Sequence, residues 1–154
     1  MDDLAPLFAL TLRTPTLELR LGDEDEVVAL GRLAGEGIHD PEEMPFGVAW
    51  SDAIGTPSFL DEFVAYHRDM LRSWRPHDWH LNLLVWRDGE LVATQSVAAE
   101  LFAEQREVTT GSWVGRRFQG EGIGTEMRAA VLGLAFDHLG ADAALSGWLE
   151  GNPA

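Results

Sequence analysis

Two apolar segments, residues 79–86 and 90–100, constrain the fold of this chain more than any other feature. They are joined by Arg87-Asp88-Gly89-Glu90, and an Asp-Gly pair between two such segments is a strong signal for a two-residue β-hairpin. A third strand pattern follows over residues 107–114 after a short connection. The sequence therefore predicts three consecutive antiparallel strands.

The segment before these strands predicts a strand and a helix. Residues 10–21 alternate between apolar and polar side chains, which indicates one strand whose first half Pro15 limits to a sheet edge or a lead-in. Residues Asp23 to Asp25 offer N-caps for a short amphipathic helix that Gly35 and Gly37 bring to an end. This order places the first helix between an edge strand and the rest of the sheet.

Further helices are predicted on either side of the three strands. One begins at Thr56-Pro57 or at Ser58, because proline suits the first helical position and Ser58 with Asp61 resembles a capping box. Another covers residues 125–139 and ends at Gly140, and a last strand follows over residues 143–150. The chain is thus predicted to be one α+β domain over residues 1–154, with a mixed, mostly antiparallel sheet flanked by helices.

The charge and composition of the chain limit the classes of partner that it is expected to bind. A formal net charge of −15 over 154 residues argues against a nucleic-acid partner and favours a cationic one, such as an amine. No membrane helix or signal peptide is predicted, so we expect a cytoplasmic protein with no membrane contact. The chain has no cysteine, which favours direct group transfer over a covalent enzyme intermediate.

A glycine-rich turn, GRRFQGEGIGTEMR at residues 115–128, connects the third antiparallel strand to the last predicted helix. Gly120, Gly122 and Gly124 permit positive φ and leave room for a ligand, and the helix directs its free N–H groups into the same space. The turn is a candidate anion cradle suited to a pyrophosphate, or else only a tight connection. A dinucleotide fingerprint fits the spacing poorly, and the absence of lysine excludes a Walker motif.

The turn resembles the signature of a known enzyme family. Residues 119–124, QGEGIG, fit the Q/R-x-x-G-x-G/A signature of the GNAT acyltransferases. Residues 111–154 resemble the branch of that family that includes the ribosomal-protein N-acetyltransferases, and the order of the preceding elements agrees. The resemblance therefore implies a GNAT-like fold and an N-acetyltransferase that moves an acetyl group directly from acetyl-CoA to a primary amine, either a protein N-terminus or a small amine.

The same resemblance implies which residues hold acetyl-CoA. Trp113 and Val114 would pair through their backbone with the pantetheine arm, as an added strand would, and either Arg116 or Arg117 would neutralise phosphate. The pyrophosphate would be held by backbone N–H groups of the turn, and Asn152 would complete the cofactor site. The turn residues concerned are Gln119, Gly120, Glu121, Gly122, Ile123, Gly124 and Thr125.

Three residues are candidates for catalysis. Glu107 lies about where some members of the family carry a general base, and Glu100 on the neighbouring strand is the alternative. Ser112 would orient the acceptor or is only a polar strand residue. No metal site is predicted, because His77 and His80 lack a third ligand. Phe46 and Trp50 in the long segment 38–51 would line a substrate pocket or cover the edge of the core.

The C-terminal end of the sequence departs from the family pattern. Asn152-Pro153 is a good start for a helix, whereas the family continues at this point with a helix and further strands. The sequence therefore predicts a C-terminally incomplete domain, whose unpaired strand edge invites a homodimer. It also leaves open a non-catalytic alternative, an acyl-CoA-binding or protein-interaction module of GNAT fold.

Overall fold

A computed structural model describes residues 5–36, 58–76 and 78–146 of the chain. Within these residues, a six-stranded sheet has the order β1-β2-β3-β4-β5-β6, with every neighbouring pair antiparallel except β5 and β6, which are parallel. The strands are β1 (Thr11–Arg13), β2 (Glu18–Arg20), β3 (Asp78–Arg87), β4 (Glu90–Glu100), β5 (Glu107–Val114) and β6 (Ala143–Ser146). The prediction of a mixed, mostly antiparallel sheet is confirmed.

Helices connect and flank these strands. Two short helices, one at Ala5–Ala9 and one at Phe102–Gln105, were not predicted, and a 3₁₀ turn at Arg116–Phe118 precedes the helix that begins at Ile123. The helices are α1 (Ala5–Ala9), α2 (Glu24–Gly35), α3 (Phe59–Arg72), α4 (Phe102–Gln105) and α5 (Ile123–Gly133), and a π-helical segment (Leu134–Leu139) continues α5. Among the described residues, no helix is long and apolar enough to cross a membrane.

The predicted hairpin is the centre of the sheet. Asp88 and Gly89 both adopt positive φ, 53° and 79°, as a type I′ turn between twisted strands requires. The two long strands that it joins, β3 and β4, pair over their whole length. Leu83, Val85 and Val97 on these strands are fully buried, and such burial of apolar side chains is the main source of stability in a domain of this size.

The first predicted strand is wrong, because residues 10–21 form two strands instead of one. The main-chain N–H of Thr14 donates to the carbonyl of Leu17 at 2.9 Å, which closes a turn around Pro15. Glu126 of α5 holds this turn by accepting hydrogen bonds from the hydroxyls of Thr14 and Thr16. The chain therefore reverses where the alternating pattern continues.

Capping explains where α2 begins, but not where α3 begins. Asp23 and Glu26 form a reciprocal capping box at α2, with bonds of 2.8 and 3.0 Å. The predicted capping box at α3 is wrong, since the Ser58 side chain makes no capping hydrogen bond. The two helices approach closely at Gly31, where a Cβ atom would lie 2.6 Å from Cδ1 of Leu60.

The C-terminal helix and strand agree with the sequence pattern where they are described. Helix α5 begins at Ile123 instead of Thr125, and Gly140 ends the π-helical segment with φ 78°. Strand β6 begins at Ala143 as predicted. The remainder of that predicted strand, together with Asn152, lies outside the described residues. Three further residues singled out in the sequence also lie outside them: Phe46, Trp50 and His77.

Candidate functional site

Strand β5 is paired on both sides over only part of its length. Its first four residues, Glu107–Thr110, pair with β6. Its last four, Gly111–Val114, pair with β4 but with no other strand among the described residues. We call Gly111–Val114 the open half of β5. It leads directly into the glycine-rich turn.

The alternation of the backbone fixes which groups face outward from the open half. The Gly115 N–H donates to the carbonyl of Val92 at 2.9 Å, which places every second residue of β5 in hydrogen-bonded register with β4. The backbone of Trp113 consequently faces β4, and its indole is buried. The N–H and C=O groups of Ser112 and Val114 face the other way. A ligand that paired with this edge would therefore meet Ser112 and Val114.

The turn after β5 has the geometry of an anion cradle. Gly120 and Gly122 adopt φ 80° and 84°, and a Cβ atom at either would have open space around it. Gly122 is also the N-cap of α5 and brings no side-chain cap. The N–H groups of the first turn, at Ile123, Gly124 and Thr125, have no partner within the helix. They can therefore bind an anion with the help of the helix dipole.

The third glycine of the cradle lies against the open half of β5. A Cβ atom at Gly124 would be 3.9 Å from Cγ2 of Val114, which is an ordinary contact. No packing constraint among the described residues therefore demands glycine here, although glycine costs about 1 kcal/mol in a helix relative to alanine. Gln119 joins the two parts of the site, because its Nε2 donates to the carbonyl of Val114 at 2.8 Å.

Ion pairs distinguish the two arginines that were predicted to neutralise phosphate. Arg117 lies 3.1 Å from Glu36 and 3.6 Å from Glu90, and its guanidinium stacks over Phe118. Arg116 is exposed and makes no ion pair with any described residue. Arg116 is thus the more available cation of the pair. The predicted cradle residue Glu121 pairs with Arg87 at 3.1 Å, which turns its carboxylate toward β3 and leaves its backbone to the turn.

The structure separates the three catalytic candidates into two places. Glu107 is half-buried at the start of β5, opposite Ala143 of β6, while Glu100 is exposed at the end of β4. The β4–β5 register brings these two carboxylates to the same end of the sheet. Ser112 lies five residues further along β5, about 17 Å from Glu107 at 3.3 Å per residue. The geometry brings the glutamates together, and it places Ser112 in the open half.

Sequence reasoning missed a buried polar residue beside the open half. Gln95 of β4 is fully buried and lies directly opposite Ser112. Its Nε2 donates to the carbonyls of Ser96 and Gly111, both at 3.0 Å, and its Oε1 has no partner among the described residues. Ser96 Oγ donates to the same Gly111 carbonyl at 3.0 Å. Little in the sequence signals this role, because Gln95 stands between Thr94 and Ser96 in a strand that already contains polar residues.

The histidine that was considered for metal binding occupies a different setting. His80 lies with His67 around a cavity of about 20 Å³ between α2, α3 and β3. Burial lowers the pKa of both imidazoles, and His67 Nδ1 is 2.9 Å from the carbonyl of Phe63. The described residues contain no cluster of three or more His, Cys, Asp or Glu side chains that could hold a metal ion.

Comparisons with known proteins identify this arrangement of elements. The family model for the acetyltransferase (GNAT) domain matches residues 10–154. A probable acetyltransferase of known structure superimposes with a TM-score of 0.71 at 16% identity, covering 94% of this chain and 77% of that one.

Two further similar structures contain coenzyme A. Mycobacterium smegmatis RimJ in complex with CoA-disulfide gives a TM-score of 0.68 at 22% identity, over 94% of this chain and 68% of that one. RimL, a ribosomal L7/L12 alpha-N-protein acetyltransferase in complex with coenzyme A, gives 0.62 at 20% identity, over 80% of this chain. The match spans 66% of the RimL chain. At these identities the similarities show a shared fold.

Proposed function

Because the chain belongs to the GNAT acetyltransferase domain family, we propose that it transfers an acetyl group directly from acetyl-CoA to a primary amine. The resemblance drawn from the sequence is thereby confirmed at the level of family and fold. The observation that carries the proposal is the continuity between the open half of β5 and the glycine cradle. A ligand that combines an extended, amide-containing arm with a diphosphate could place the arm along the open half of β5 and the diphosphate in the cradle that follows it.

The open half of β5 supports the binding of the pantetheine arm. Ser112 and Val114 direct backbone N–H and C=O groups away from β4, so that they can pair with amides in the way an added strand does. The Val114 carbonyl already accepts one hydrogen bond from Gln119, and a carbonyl oxygen can accept a second. The proposal therefore assigns backbone pairing with the pantetheine arm to Val114 and Ser112, whereas the backbone of Trp113 pairs with β4.

The cradle supports the binding of the diphosphate. Its donors are backbone N–H groups at the start of α5, and the positive φ at Gly120 and Gly122 turns the chain so that no side chain stands in front of them. Arg116 supplies a nearby positive charge with no ion-pair partner among the described residues. Acetyl-CoA itself supplies the activated acetyl group, and CoA leaves as a thiol.

The acceptor is proposed to be an amine that must lose a proton. A lysine side chain with a pKa near 10.4 is almost fully protonated at neutral pH, whereas an α-amine near 7.7–8.0 is partly free. Glu107 and Glu100, at one end of β4–β5, are the two candidates that would take up the proton, directly or through water. A backbone N–H of the open half would stabilise negative charge on the thioester oxygen.

The overall charge supports a cationic acceptor. A chain with net charge −15 attracts amines and repels acidic acceptors before any specific contact forms. Both a peptide N-terminus and a small polyamine-like molecule satisfy this condition. RimL, whose fold this chain shares, is a protein that acetylates an α-amine, which makes a peptide N-terminus the first acceptor to test.

Calorimetric titration with acetyl-CoA, followed by a free-thiol release assay, tests the proposal. We expect saturable binding and thiol release that depends on an added amine, measured with a basic N-terminal peptide, spermidine and free lysine as acceptors. Glu107→Gln and Glu100→Gln variants identify the base by a loss of kcat at neutral pH that higher pH partly restores. Saturable binding without thiol release for any amine would contradict the enzymatic assignment and favour an acyl-CoA-binding module.

A further inference from the structure

We propose that Arg128 of α5 is a further binding residue for acetyl-CoA and contacts its diphosphate from the flank of the cradle. The inference rests on the proposed function, since it requires acetyl-CoA to occupy the site. Arg128 lies outside the glycine-rich signature, and nothing in its sequence position alone distinguishes it from a surface arginine. Its surroundings in the structure do.

The position of Arg128 on the helix places it on the cofactor side. It follows Gly124 by four residues, which is one helical turn, so the two share a stripe of α5. Gly124 faces the open half of β5, as the 3.9 Å approach to Val114 shows. The neighbours of Arg128 on this side of the helix, Met127 and Val131, are fully buried. Arg128 is itself half-buried, and its Nε atom is covered.

We infer the direction of the Arg128 side chain from the geometry of the helix. In an α-helix the Cα–Cβ bond tilts toward the N-terminus, and a long side chain covers the turn that precedes it. For Arg128 that turn contains Gly124, which has no side chain to compete for the space. The start of α5 and its N–H groups lie at the end of this path.

The charge of Arg128 lacks an internal partner. Its Nε is buried and has no hydrogen-bond acceptor among the described residues, and no described carboxylate forms an ion pair with it. The nearest acid in sequence, Glu126, is engaged by Thr14 and Thr16. A buried N–H without an acceptor is costly, and for a charged group the cost is greater. An external anion can supply the acceptor that Nε of Arg128 lacks among the described residues.

The diphosphate is the anion that fits. The amine acceptor brings positive charge, so it offers nothing to a guanidinium. The phosphate oxygens held by the N–H groups of α5 would lie along the same flank, and a guanidinium binds such oxygens through charge-assisted, often bidentate hydrogen bonds. The ribose 3′-phosphate of coenzyme A has the same chemistry, and the experiment below separates these two sources.

The test compares Arg128→Met with Arg128→Lys and with Arg72→Met. Methionine keeps the length and the apolar stem of arginine and is a good helix former, so the fold should persist. Arg72 is an exposed arginine at the end of α3, and its replacement makes the same change in net charge far from the cradle. Dissociation constants are measured by calorimetry for acetyl-CoA and for acetyl-dephospho-coenzyme A, which retains the acetyl group and the diphosphate but lacks the 3′-phosphate.

We expect Arg128→Met to raise the dissociation constants of both ligands by about tenfold to a hundredfold, the range for a hydrogen bond to a charged group. The loss should shrink as salt rises from 50 to 500 mM, because screening weakens the wild-type contact. Arg128→Lys should recover part of the affinity, and Arg72→Met should bind as the wild type does.

Three outcomes would overturn the inference. An unchanged affinity in Arg128→Met would show that the arginine does not contact the cofactor, and a loss confined to acetyl-CoA would assign the contact to the 3′-phosphate. A loss without salt dependence, accompanied by a lower melting temperature and no recovery in Arg128→Lys, would show a structural role. If the wild type fails to bind acetyl-CoA, the proposed function fails and the inference fails with it. This result is distinguishable from a failure of the inference alone, because it appears before any variant is made.

Discussion

Replacing Gly124 by valine should separate cofactor binding from stability. Gly124 lies within α5, and a Cβ atom there would make only an ordinary contact with Val114 at 3.9 Å. Valine is less unfavourable than glycine in a helix, so the free energy of unfolding should stay constant or rise by about 0.3–0.5 kcal/mol. The same isopropyl group occupies the space between α5 and the open half of β5. Blocking one charge-assisted hydrogen bond there costs about 1.5–3 kcal/mol of binding, or about 10- to 150-fold in Kd.

The matched control is Gly133→Val, at the other end of the same helix. A Cβ atom at Gly133 would lie 4.0 Å from Oδ2 of Asp137, so the change in helix propensity is similar but remote from the cradle. Urea denaturation measures stability, and calorimetry measures acetyl-CoA affinity for both variants. Wild-type affinity in Gly124→Val would refute the argument that the cradle at α5 receives the diphosphate. Equal losses of affinity in the two variants would refute the claim that the effect is local.

Three further predictions concern stability. Acid should destabilise the fold, because burial lowers the pKa of His67 and His80 below the ordinary value of 6.5. The stabilisation is complete above pH 6.5 and is lost as pH falls through the two folded-state pKa values, by up to about 1.4 kcal/mol per pH unit for each imidazole. A flat stability profile from pH 7.5 to 5.5 in urea denaturation would contradict this prediction. Glu126→Gln should lower the melting temperature by a few degrees at neutral pH. Hydrogen bonds from two threonine side chains lower the pKa of the Glu126 carboxyl from 4.5, so the difference in melting temperature between variant and wild type should vanish as pH falls well below that value. A difference that persists at pH 3 would show another cause. Gly115→Ala places a Cβ atom 2.7 Å from Cδ1 of Leu33, so overpacking should cost about 1–3 kcal/mol in urea denaturation, and unchanged stability would show that α2 yields without cost.

The parts of the fold that could be predicted depend on neighbouring residues. The β3–β4 hairpin follows from Asp88-Gly89, whose positive φ values are a local property of the turn. The N-terminal strand prediction failed because the β1–β2 turn is stabilised by Glu126, more than a hundred residues away in sequence. Alternation has the same period in both strands and does not show where the chain reverses. A sequence pattern therefore cannot reveal a turn that a distant helix completes.

The same distinction between local and long-range features separates the site residues that could be predicted from those that could not. The glycine cradle could be recognised from the sequence because its residues are consecutive and each glycine has a backbone role. Gln95 and Arg128 could not, since their importance comes from register and from helical phase. Gln95 becomes notable only when β4–β5 pairing places it opposite Ser112, and Arg128 only when α5 packs its stripe against β5. Gln95 stands between two other polar residues, and Arg128 is one of several arginines, so neither has a distinctive signal in the sequence.

The unequal pairing of β5 explains how one strand can serve both the core and a ligand. In its paired half, Val108 and Thr110 are buried, and the strand is held from both sides. At Gly111 the side chains of Gln95 and Ser96 both donate to the carbonyl, so β4 helps to fix the position of the open half. Among the described residues, β4 is the strand that keeps the outward groups of this half aligned. Under the proposed function, this rigidity on the β4 side would lower the entropic cost for an extended ligand that adds to the edge.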